Sequence, residues 1–186
     1  MNLAALHPSL GVTRADGDLE ALMAVLADLD PADRREADME GLPAADPEAL
    51  AQGFCAATAG GGMVWVVWHA PDGRGADPFA ICAMGPAQGP RCAHVGFVSR
   101  PRSQFRRPLG CLGVWLRRSL PAAARTRGAR RLEARCWAEH PTGPGWLQAL
   151  GFAREGVLRG YGLGGADFEL HALTVPSEQG SSTWVS

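Results

Sequence analysis

The stretch "RRLEARCWAEHPTGPGWLQALGFAREGVLRGYGLGGADFELHALTV", Arg130–Val175, decides the fold. "RRLEARCWA" reads as a strand and "GPGWLQAL" as a short helix. "EGVLRGYGL" and "DFELHALTV" then pair as two strands around the turn "GGA". A strand, a helix and a closing hairpin in this order call for a sheet with at least one helical crossover.

Working backwards, "LGCLGVWLRRSLPAAARTRG" (109–128) reads as a helix with Leu112, Trp115, Leu116 and Leu120 on one face. Pro121 is a candidate kink and Gly128 a candidate stop. Before it lies a basic loop, "RPRSQFRRP" (100–108), preceded by three strands of a meander: "MVWVVWHA" (63–70), "PFAICAMG" (78–85) and "RCAHVGFVS" (91–99). The first third begins with a strand in "SLGVTRADGD" (9–18), where Asp16 or Asp18 can cap a helix. Leu19, Leu22, Met23, Leu26 and Leu29 repeat at helical spacing as far as Asp30, where Pro31 ends the run. "DPADRREADMEGLP" (30–43) predicts a short polar helix closed by Gly41 and Pro43. "DPEALAQGFCAAT" (46–58) predicts another, with Asp46 as cap and Pro47 in its first turn. The expected fold is a single α/β (α+β) domain over residues 1–175, with a mixed sheet of six or seven strands and about four helices. Residues 176–186 form a polar tail carrying Trp184.

At 186 residues, 46% apolar and 20% charged, the chain suits one soluble domain with its own core. A net charge of −1 gives no electrostatic case for nucleic acid or an anionic membrane, although ten arginines crowd between Arg100 and Arg131. That basic run reads as a solvated face or as an anion-binding surface. Five cysteines and five histidines are scattered without metal-ligand spacing, and an odd cysteine count argues against a disulfide framework. Neither a signal-peptide pattern nor an apolar run of membrane-spanning length is present, so the expected place is the cell interior or a virion.

Several segments resemble the GNAT superfamily of acetyltransferases over roughly residues 9–175. "WLQALGF" (146–152) is similar to the superfamily's "LYEKLGF". "EARCWAEH" resembles the strand that ends in "V-x-x-x-N", with His140 at the asparagine position. "EGVLRGYGLGGADFELHAL" resembles the closing hairpin. A narrower resemblance, carried by "RREADMEG", "DPEAL", "PLGCLGVWLRRS" and "WLQALGF", is to small bacteriophage proteins typified by a T7 protein that builds the virion interior.

The GNAT resemblance implies a coenzyme A pyrophosphate held by amides at a helix N-terminus, through "Q/R-x-x-G-x-G/A". Arg107, Gly110, Cys111 and Gly113 are the candidates here. Pro108 lacks an N–H and Leu112 replaces a small residue, so the turn from Pro108 to Gly113 is expected to hold a diphosphate poorly. The alternative role for these glycines is close packing of helix on strand.

The resemblance also implies a general base. The strand "RCAHVGFVS" offers only His94, either as the base or as a structural histidine, with Asp77 and Glu139 as alternatives. The proton-donating tyrosine of the resemblance aligns with Leu147, while the only tyrosine, Tyr161, is expected to pack. Cys111 could be an activated thiol at a helix start or a small buried apolar residue.

Two readings follow. In the first, the protein keeps the scaffold without the reaction and serves in a phage-like particle, bound to other proteins, with Trp184 as a partner anchor. In the second, it is an acetyl-CoA-dependent N-acyltransferase using coenzyme A, Arg107, Gly110, Gly113 and His94. No metal is expected in either.

Overall fold

The computed structural model describes residues 9–70, 76–87 and 89–176. Seven strands form one sheet: β1 (Leu10–Arg14), β2 (Met63–His69), β3 (Asp77–Pro86), β4 (Cys92–Ser99), β5 (Arg131–Trp137), β6 (Ala153–Leu158) and β7 (Phe168–Thr174). Their spatial order is β1-β2-β3-β4-β5-β7-β6. Five helices are present among the described residues: α1 (Leu19–Ala27), α2 (Pro31–Met39), α3 (Pro47–Ala59), α4 (Arg102–Thr126) and α5 (Gly143–Leu150). Every strand pair is antiparallel except β4–β5, which a right-sized crossover through α4 makes parallel. The expected mixed sheet is therefore present, and each segment read as helical, the short polar one included, forms a helix, five against the total of about four.

Local chemistry explains the helix starts. The Asp18 carboxylate accepts the Ala21 amide, Asp30 that of Ala32, and Asp46 those of Glu48 and Ala49. Pro31 and Pro47 occupy first-turn positions, where a missing N–H costs nothing. Pro31 thus opens α2; α1 has already stopped at Ala27.

The helices cover both faces of the sheet. Leu22, Val25 and Leu26 of α1 and Leu50 of α3 bury against Val64, Val66 and Ile81. On the other face Leu109, Leu112, Trp115, Leu116 and Leu120 of α4 join Leu147 and Leu150 of α5 against Phe79, Leu132 and Ala134. Gly128, at φ 69°, closes α4 as expected, its left-handed conformation letting the Ala129 amide reach the Ala124 carbonyl.

One element differs from its expectation. Of the segment expected as a basic loop, residues 100–108, all from Arg102 onward forms the start of α4. Pro101 precedes the first turn and Pro108 lies inside the helix, which periodicity reads as two interruptions. Phe105 takes non-helical angles (φ −114°, ψ 24°). This restarts the helix, so Pro108 sits in a first turn whose amides have no partner four residues back. The break is there and not at Pro121.

Candidate functional site

Strands β4 and β5 pair at only three positions: Cys92 with Arg131, Ala93 with Leu132 and His94 with Glu133. Beyond them the two strands separate, and a cavity of about 1110 Å³ opens between them. It reaches from α2 and α3 on one face of the sheet to α4 and α5 on the other. The β5-facing edge of β4 past His94 has no strand ladder, so it can pair with an extended ligand bearing amides.

Asp33 of α2 closes the outer end of the split. Its Oδ2 accepts the Ser99 amide (2.8 Å) and the Ser99 hydroxyl (3.2 Å), at the end of β4. Its Oδ1 accepts Arg102 Nη2 (2.6 Å) from α4 and faces His140 Nε2 (3.1 Å) from beyond β5. Burial pushes this carboxyl upward, but His140 and Arg102 overcome it and hold Asp33 below its ordinary value. His140 Nδ1 accepts the amides of Thr142 (3.2 Å) and Gly143 (2.7 Å), capping α5 where Thr142 makes no side-chain cap. With Nδ1 so engaged, the ring proton lies on Nε2, toward Asp33.

Beside this node the Cys136 thiol donates to Glu36 Oε2 at 3.4 Å, and His140 Nε2 stands 3.9 Å from the same carboxyl. Burial pushes Glu36 up to about 7. Burial and Glu36 together keep the Cys136 thiol protonated. The ligand atoms of Glu36, Cys136 and His140 lie within 4.8 Å of one another, a grouping that could hold a metal ion. The His140 lone pair is spent on backbone amides and its N–H points at a carboxylate, so the donor set fits a hydrogen-bonded node better than a metal. Residues 36, 136 and 140 meet only through the fold, which is why no ligand spacing was visible.

Deeper in the split, His94 Nε2 lies 3.0 Å from Arg135 Nη2, and Arg135 Nη1 also contacts the Tyr161 hydroxyl. Burial, then the Arg135 charge, lower the His94 pKa, so its Nε2 lone pair accepts from Arg135. His94, the candidate base of the strand, lines the cavity and accepts from an arginine there. Glu36, read from sequence only as part of a short polar helix, is the carboxylate of the cavity with its pKa near neutrality.

The expected phosphate turn does not exist as a turn. Gly110, Cys111 and Gly113 lie inside α4, beyond the first turn where unpaired amides and the dipole act. Arg107 is exposed and absent from the cavity wall; Arg102, Arg106 and Gly110 line it instead, at four-residue spacing. A Cβ at Gly110 would meet nothing within 4 Å, so this position leaves room for a ligand. Cys111 is half-buried and packs against the core, as its apolar alternative predicts. Gly113 faces Trp146, so its packing role is with α5 and not with a strand. Leu147 is buried in the core. Asp77 pairs with Arg100 (2.7 Å), and neither it nor the exposed Glu139 lines the cavity. Trp184 lies outside the described residues.

Solved structures share this architecture. A protein of Salmonella typhimurium assigned as an acetyltransferase, solved with its cofactor acetyl-CoA, superposes with a TM-score of 0.67 at 15% identity, covering 94% of this chain and 99% of that one. The ribosomal L7/L12 α-N-protein acetyltransferase in complex with coenzyme A gives 0.69 at 13% identity, over 91% and 96%. The ribosomal-protein-S5-alanine acetyltransferase of Vibrio fischeri gives 0.65 at 15%, over 92% and 96%. The fold is that of the GNAT acetyltransferases. No protein-family model matches the chain, and no curated protein matches its sequence. Among the described residues, no helix of this GNAT fold is long and apolar enough to cross a membrane.

Proposed function

We propose that the protein is an acyl-coenzyme A-dependent N-acyltransferase whose amine acceptor enters from the α2 side of the split sheet. The observation that carries this reading is the parting of β4 and β5 after His94 into a cavity open to both faces. The unladdered edge of β4 suits the two amides of a pantetheine arm. Arg106 and the open face at Gly110 suit its diphosphate end. When bound, the cofactor supplies an acyl group activated as a thioester.

The chain's own residues do the rest. An amine attacks only when unprotonated, and a carboxylate with its pKa near 7 is matched to removing that proton at neutral pH. Glu36 meets this condition and lies in the cavity wall. Leu147 has no proton to give, and the return of a proton to the leaving group falls in this reading to Glu36, which has just taken one from the amine. The apolar walls formed by Phe97, Leu109 and Trp146 exclude water from the reacting centre.

A second reading, a GNAT-fold scaffold without turnover in a phage-like assembly, has one observation in its favour. Asp30 of the chain itself accepts the Arg102 amide (3.0 Å) and pairs with Arg102 Nη1 (2.7 Å), so a carboxylate already stands at the start of α4. Calorimetry with acetyl-CoA separates the two. A Kd of about 100 μM or tighter supports the acyltransferase, and no heat at about millimolar ligand supports the scaffold. In the first case E36Q lowers the single-turnover rate about 100- to 10,000-fold with cofactor affinity unchanged.

A further inference from the structure

Arg135 differs from the other arginines around it. Arg131 pairs with Glu133 and Glu155, Arg154 with Glu169, Arg102 with Asp30 and Asp33, and Arg100 with Asp28 and Asp77. Arg135 stands mid-strand in β5, half-buried in the cavity wall, and forms no ion pair among the described residues. Its hydrogen-bond partners are two neutral groups: His94 Nε2 at 3.0 Å and the Tyr161 hydroxyl. Glu40, the residue that caps the end of α2, attracts it electrostatically, and no ion pair joins the two. A guanidinium carries five N–H donors in a fixed fork, and these contacts use two. Half-buried in the cavity wall and hydrogen-bonded only to neutral acceptors, it keeps spare donors and a charge that no ion pair neutralises.

We propose that Arg135 binds an anionic group on the acyl acceptor, so that the substrate is a small acidic amine. This rests on the acyltransferase reading for the transfer step, but not for the binding step. The next residue of β5, Cys136, touches Glu36. The Cys136 side chain leaves β5 on the face opposite to that of Arg135, but Glu36 and Arg135 both line the cavity of the split, the space that a small amine with a carboxylate or phosphate would occupy. His94 and Tyr161 are the positioning residues: they fix the guanidinium plane, and a neutral His94 adds no second charge.

The test uses three primary amines of similar length: β-alanine, O-phosphoethanolamine and ethanolamine. In the full chain without cofactor, the His94 imidazole C–H resonances, assigned with H94N, are followed by NMR. Either acid shifts them at about millimolar concentration and ethanolamine does not; which acid is stronger separates a carboxylate site from a phosphate site. R135Q weakens the preferred acid about 10- to 100-fold, and R135K restores part of it. With acetyl-CoA present, the same substitution raises KM for the acid by that factor and leaves cofactor affinity unchanged. Equal shifts from all three amines, no shift from any, or an R135Q protein that binds the acid as well as wild type overturns the proposal. Acid binding without any acetyl-CoA binding leaves the anion site standing and removes the acyltransferase reading.

Discussion

A Cβ placed on Gly113 of α4 would lie 2.8 Å from the ring of Trp146 on α5. The indole cannot retreat freely, because its other side packs on Phe97 of β4 with ring centroids 5.4 Å apart. Two effects compete in Gly113→Ala. Replacing a mid-helix glycine gains up to about 1 kcal/mol of helix propensity, while overpacking costs about 1–3 kcal/mol. With backbone on one side and an aromatic ring wedged on the other, overpacking wins. A net loss of about 1–2 kcal/mol is expected from urea unfolding, and a gain would show that Trp146 has room to move.

Gly110 gives the opposite expectation one turn earlier. Nothing lies within 4 Å of the position its Cβ would take, and the residue lines the cavity. Gly110→Ala should therefore raise stability by up to about 1 kcal/mol. The same methyl intrudes on the space assigned to the cofactor, so acetyl-CoA affinity should fall. A thermal melt and a calorimetric titration on one protein sample check both signs.

These two glycines also show what the sequence could and could not disclose. The order of strands, the caps at Asp18 and Asp46 and the stop at Gly128 follow from short-range rules, and each stands where residue chemistry puts it. The start of α4 was hidden because Pro101 and Pro108 mimic a loop, and the restart at Phe105 that makes Pro108 harmless is a backbone event without a sequence mark. A loop over that segment puts Arg107 with Gly110, Cys111 and Gly113 as the phosphate candidates, whereas in the helix Gly110 shares the cavity wall with Arg102 and Arg106. Glu36 and Asp33 sit on a helix polar enough to pass for a solvated one. Their burial comes from docking over the ends of β4 and β5, contacts more than sixty residues away in sequence that periodicity cannot show.

Asp33 is the node that joins those ends. Its two oxygens serve the Ser99 amide and hydroxyl, Arg102 and His140, with the side chain 5% exposed. In Asp33→Asn one oxygen becomes an amide nitrogen whose hydrogens face donors, so either the Ser99 amide and hydroxyl or Arg102 and His140 lose their acceptor. Arg102 keeps Asp30, which places the cost near the lower end for a broken buried pair, about 3 kcal/mol. Equilibrium unfolding measures it. A change below about 0.5 kcal/mol, the range of surface substitutions, would mean that the ends of β4 and β5 are held by other contacts.

Glu36 and Asp33 act on stability in opposite pH ranges. For Asp33 the folded-state pKa lies below 3.8, so its contribution is present above that value and is lost as the solution is acidified through the folded pKa. For Glu36 the folded-state pKa is about 7 against an ordinary 4.5. Between those values the unfolded chain has released the proton while the folded chain keeps it, so stability falls as pH rises. The fall amounts to about 3 kcal/mol across 2.5 pH units and then stops, once both states are ionised. The substitution E36Q removes this dependence and keeps the shape of the side chain. Urea midpoints at pH 5 and pH 7.5 should therefore converge for wild type and variant at the acid end and separate at the neutral end, with E36Q the more stable. Parallel profiles would place the Glu36 carboxyl in water and remove the basis for its pKa near neutrality, and with it the proton acceptor on which the acyl-transfer chemistry depends.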